Sequence, residues 1–70
     1  MKTEKKNQNE IARFYQNLSR REKGKFLLWV QLKTEYSQGT VIARIKDDGW
    51  RRIERDIITE GMENDTWRNI

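Results

Sequence analysis

The sequence predicts an all-α fold, a compact bundle of four main helices with a short fifth helix at the C-terminal end. Three observations carry this. Apolar residues recur at i, i+3, i+4 and i+7 along most of the chain. Two serines, Ser19 and Ser37, stand where helix N-caps are needed. Proline is absent, and the four glycines are isolated from one another.

The first helix is expected to start at Asn9, a good N-cap, with Glu10 in its first turn where negative charge suits the helix dipole. Ile11, Phe14, Tyr15 and Leu18 then form an amphipathic stripe. Ser19 and Glu22 make an S-x-x-E capping box, which ends this helix near Leu18 and starts a second. Helix two is predicted over 20–36. Phe26, Trp29, Val30, Lys33 and Tyr36 share one face, and Leu28 and Leu32 broaden it. Gly24 is its weak point.

Ser37 caps a third helix, predicted over 38–46, with Val41, Ile42 and Ile45 inward and Gln38, Arg44 and Lys46 outward. The β-branched run at 40–46 and the Asp48-Gly49 turn signal also fit a hairpin. Trp50, Ile53 and Ile57 at i, i+3 and i+7 favour a helix instead. That fourth helix is expected to begin at Asp48 or Gly49 and to end at Gly61, with Met62 folding back onto Ile57. Asn64 or Asp65 can cap one last turn, in which Trp67 either closes the core or contacts a partner.

Residues 1–8 are polar with three lysines and read as a disordered basic tail; 9–70 read as one helical domain. No stretch resembles a signal peptide, and the longest apolar run, at 26–30, is far too short to span a membrane. A soluble, cytoplasmic protein without membrane contact is expected. The 70 residues contain neither His nor Cys. That removes disulfides, ordinary zinc sites and His-based nucleophile systems. Glu54 and Asp56 are the densest carboxylates near apolar residues, but neighbouring arginines make them ordinary helix-surface groups. No enzyme activity, cofactor or metal is expected.

Charge is unevenly placed. Residues 1–46 carry 11 Lys/Arg against 4 Asp/Glu, whereas 47–70 carry 4 against 7. A basic face suits a polyanion. The aromatic residues fall on helical stripes rather than on an exposed stacking platform, so they read as core. The linkage of helices two and three adds a further signal. A long apolar helix is followed, after a tight turn, by a short capped helix. In a helix-turn-helix the second helix enters the major groove while the first crosses the backbone.

The segment Ser37-Gln38-Gly39-Thr40-Val41-Ile42-Ala43-Arg44-Ile45 resembles the recognition segment of repressor/Cro-like helix-turn-helix proteins of bacterial mobile elements, and 50–58 resembles the support helix that follows. The likeness covers roughly 22–60, and Tyr36 stands where the family carries a turn glycine. It implies double-stranded DNA binding in transcriptional control. Gln38, Thr40 and Arg44 would then read bases, and Arg20, Arg21, Lys23, Lys25 and Lys46 would hold phosphates. The alternative is a helical protein-interaction module or homodimeric adaptor. The small core and Trp67 motivate it.

Overall fold

A computed structural model describes residues 9–69; the tail expected at 1–8 and residue Ile70 lie outside the described residues. Among the described residues four α-helices follow one another: α1 (Glu10–Gln16), α2 (Arg20–Thr34), α3 (Gln38–Asp47) and α4 (Arg52–Asn64). A 3-10 turn, Thr66–Asn69, closes the chain. No strand occurs among the described residues, so 41–50 is helix and linker, not a hairpin. Among the described residues, no helix is long and apolar enough to cross a membrane.

The capping box forms as its spacing requires. The Ser19 hydroxyl accepts from the Glu22 N–H at 3.2 Å, and the Glu22 carboxylate accepts from the Ser19 N–H at 3.0 Å. Two otherwise unpaired helix donors are thereby satisfied. Asn9 occupies the cap position of α1, but its side chain makes no capping bond and its Oδ1 is buried without a partner.

The axis of the bundle is α2, which packs against α1, α3, α4 and the terminal turn. Phe26 and Val30 are fully buried on it, with Leu27 and Trp29 nearly so. Val41 and Ile45 of α3, Ile58 of α4 and Ile11 of α1 complete the core. Trp67 is also fully buried, edge-on to Phe14 and Phe26 at 5.9 and 5.7 Å. Of its two sequence readings, closing the core is the one realised. The aromatic stripe residues behave likewise: Trp50 is buried, and Phe14, Tyr15 and Tyr36 pack partly buried against the cluster.

Several boundaries differ from the sequence expectation, each for a physical reason. Helix α2 stops at Thr34 because Glu35 turns left-handed at φ 65°. Asp48, also left-handed at φ 54°, ends α3, so α4 starts only at Arg52. Trp50 therefore precedes α4 and does not set its phase. Ile53 and Ile57 turn outward, and α4 buries Ile58 and Gly61 instead. Nor does Gly61 end the helix. It lies within α4 because Trp29 needs the space a Cβ would take, and left-handed Asp65 terminates the helix. Leu28 and Leu32 do not widen the buried stripe; both are exposed.

Gly24 sits in α2 with nothing within 4 Å of a Cβ built on it. Replacing a helical glycine in open space removes an entropic and propensity cost of about 0.5–1 kcal/mol. Gly24→Ala is expected to raise the melting temperature by several degrees, about 4–8 °C per kcal/mol in a domain of this size. A calorimetric scan that shows no rise refutes the assignment of Gly24 as a free surface position.

Candidate nucleic-acid interface

Three residues, Glu35, Tyr36 and Ser37, join α2 to α3. The first of them takes the left-handed conformation, and its N–H closes onto the Gln31 carbonyl at 2.6 Å. The Thr34 hydroxyl bonds the Val30 carbonyl at 2.8 Å and accepts from the Tyr36 N–H at 3.3 Å. Side-chain bonds of this kind stand in for the backbone pairs a helix end lacks. Ser37 then caps α3, accepting from the Thr40 N–H at 3.3 Å, while its hydroxyl donates to Thr40 Oγ1 at 3.0 Å. The left-handed bend falls at Glu35, one residue before the Tyr36 position that the family likeness marks.

Tyr36 ties this turn to α4. Its hydroxyl donates to Glu54 Oε2 at 2.5 Å, and Glu54 Oε1 accepts from the Arg51 N–H at 2.9 Å. The bond to the carboxylate, joined by burial and the Glu54 charge, pushes the Tyr36 hydroxyl above its ordinary value. Burial alone would push the Glu54 carboxyl up. The Tyr36 hydroxyl, the Arg51 N–H and the Arg44 and Arg51 charges outweigh it and hold the group below its ordinary value. Glu54 is thus an ionised structural tie and not a free acid. Arg55 pairs with Asp48 at 2.9 Å and bonds the Asp48 carbonyl, which fixes the α3–α4 connection.

The sequence-predicted base readers fall in different settings. Gln38 is exposed in the first turn of α3. Thr40 is half-buried and engaged by Ser37. Arg44 is half-buried, with its guanidinium 5.1 Å from the Tyr36 ring centroid and Nη1 donating to the Gly49 carbonyl. At 3.6 residues per turn, Gln38 and Arg44 point about 120° apart. The structure therefore does not bring these three to one exposed face. The outermost strip of α3 carries Gly39, Ala43 and Asp47.

The phosphate-binding candidates divide too. Arg20 and Arg21 are exposed and hold no hydrogen bond or ion pair among the described residues. Lys23 Nζ lies 5.4 Å from the Tyr15 ring centroid, and Lys25 Nζ donates to the Arg68 carbonyl at 3.3 Å. Arg68 in turn bonds Glu22 at 2.9 Å and lies over Trp67. Ser19 first, and then Arg68, hold the Glu22 carboxyl below its ordinary value. This cluster opens α2, whose 15 residues span roughly 22 Å, so it is one helix length from the turn. Lys46 is exposed in the last turn of α3.

Arg51 did not stand out in the sequence, because its neighbours Arg52, Glu54 and Arg55 read as ordinary surface pairing. In the fold it joins Arg44 beside Tyr36 and Glu54, giving the α3–α4 end its own positive charge. Among the described residues no group of three or more Asp, Glu, His or Cys is placed to hold a metal ion. Comparison with family models, curated proteins and solved structures gives no match.

Proposed function

We propose that this chain is a small cytoplasmic, helix-turn-helix-like protein that binds double-stranded DNA and regulates transcription. The observation that carries the reading is the three-residue turn with left-handed Glu35, which joins α2 to a serine-capped α3. That linkage is what lets a second helix enter the major groove while the first lies along the backbone. The charge distribution supports the reading: the exposed Arg20, Lys46 and Arg51 carry the positive sign a phosphate backbone attracts. Gln38, free at the start of α3, is the leading base reader. Arg44 spends one of its five N–H donors on Gly49, leaving donors for a guanine edge. Thr40, half-buried and on another side of α3 from Gln38, is left a phosphate contact at most.

Amide NMR titration with mixed-sequence duplex DNA at low and higher salt tests this reading. Shifts are expected at 20–25 and 37–46 and should fade as salt rises. Once a preferred site has been selected, Gln38→Ala should weaken that site more than random duplex. Lys46→Ala should weaken both alike and lower the salt slope by roughly one. A well-folded spectrum that does not move at low salt overturns the proposal. A second reading, a helical interaction module or homodimer, is favoured by a separate observation on the opposite side of α2.

A further inference from the structure

Among the described residues, four large apolar side chains stand in solvent: Leu28 at 45%, Leu32 at 64%, Ile53 at 69% and Ile57 at 36% exposure. They come as two i, i+4 pairs, one on α2 and one on α4. At 3.6 residues per turn, Arg21, Lys25, Leu28 and Leu32 fall within a strip about 60° wide beside Trp29. Ile53, Ile57 and Glu60 form a strip of about the same width beside Gly61.

Trp29 packs directly on Gly61, so both strips border the same helix contact and lie on its solvent side. A groove of about 190 Å³ runs there, lined by Trp29, Lys33, Ile57, Glu60, Gly61 and Thr66. The two helices are antiparallel. Tyr36, just past α2, bonds Glu54 in the first turn of α4; Trp29 meets Gly61; Glu22 near the start of α2 reaches Arg68 beyond α4.

Charge is arranged along this face in a self-complementary way. The α2 strip opens with Arg21 and Lys25, whereas the end of α4 beside them carries Glu60 and Glu63. At the opposite end, Glu35 follows α2 and Arg52 begins α4. A twofold axis parallel to the helices turns each strip onto the other strip of a second copy without exchanging ends. The α2 opening with Arg21 and Lys25 then lies against the acidic end of the other copy's α4, where the partner's Glu60 is on the strip and the partner's Glu63 on its flank. Height along the axis is kept, so Leu32 comes level with the partner's Ile57, and Glu35 lies within about a turn of the partner's Arg52. Opposite charges lie at both ends, with the apolar contact between them.

We propose that this face is the interface of an isologous homodimer, with α2 of each copy packed on α4 of the other. An axis perpendicular to the helices would instead set α4 against α4 and bring Glu60 toward its own copy, which like-charge repulsion disfavours. Arg20 and α3 lie outside this face, whereas Arg21 and Lys25 lie on it, so in the dimer phosphate contact is left to Arg20, Lys46 and Arg51.

Analytical ultracentrifugation of the full chain tests the interface. The protein is expected to sediment at twice its 8.5 kDa chain mass and to lose the dimer in Leu32→Asp and in Ile53→Asp. Both sites are well exposed, so unchanged far-UV circular dichroism shows that the fold survives. Lys25→Glu and Glu60→Lys should each weaken association at least tenfold, and the double variant should restore it. A wild-type monomer up to roughly millimolar concentration, dimers that persist in both Asp variants, or a double variant that fails to recover overturns the proposal.

Discussion

Trp67→Ala is expected to destabilise the fold by about 3–5 kcal/mol, the usual cost of deleting a buried indole. Trp67 is fully buried and meets Phe14 and Phe26 edge-on, so alanine leaves a cavity between α1, α2 and the terminal turn. A domain of 70 residues has roughly 4–10 kcal/mol to lose, so the variant should give up between about a third and all of its stability at 25 °C. Urea titration followed by circular dichroism measures this directly. Trp67→Phe should cost much less. It keeps a ring in the site and removes Nε1–H, which is buried without a partner and itself costs about 1–3 kcal/mol. If Trp67→Ala melts within one degree of wild type, Trp67 does not close the core, and a role at a partner surface returns.

Gly61→Ala should produce the second large effect, with a sign opposite to that of Gly24→Ala. Both replace a helical glycine with the best helix former, a local gain of about 1 kcal/mol. At Gly61 the new Cβ falls inside contact distance of Trp29 Cη2, 2.5 Å from Cζ2 and 3.0 Å from Cζ3. Trp29 is buried and stacked at 6.3 Å on Phe26, so its ring cannot yield without disturbing the centre of the core. Overpacking of this kind costs typically 1–3 kcal/mol or more, which exceeds the local gain. Gly61→Ala is therefore expected to melt lower than wild type and Gly24→Ala higher, in the same buffer and by the same scan. Equal shifts of the two variants would mean that α2 and α4 do not approach as closely as Trp29 and Gly61 require.

The paired glycines show how far the sequence could be read. Each stands alone in a helical pattern, and nothing local distinguishes them. Gly61 looked like a helix terminator because glycine commonly holds the left-handed residue after a helix. Here that conformation falls to Glu35, Asp48 and Asp65, and no described glycine has a positive φ. The candidate interface behaves similarly. Gln38 and Lys46 sit exposed on α3, where their helical positions placed them. Arg44 follows the same spacing, yet Tyr36 and the Gly49 carbonyl draw it aside. Those contacts reach across the α2–α3 and α3–α4 connections, which helical periodicity does not describe.

What the sequence by itself determined is local in origin: the all-α class, the order of the helices, the Ser19–Glu22 capping box and the Ser37 cap. Each depends on residues within about one turn of one another, whose hydrogen bonds and periodicity are set by the backbone. Tertiary structure alone decided which side of α4 is buried. Ile53 and Ile57 share the spacing of a core stripe, but Trp29 meets α4 at Gly61, and this close approach rotates Ile58 inward and the isoleucine pair outward. The period of a helix is an internal property of its chain; its phase is chosen by the surface that packs against it.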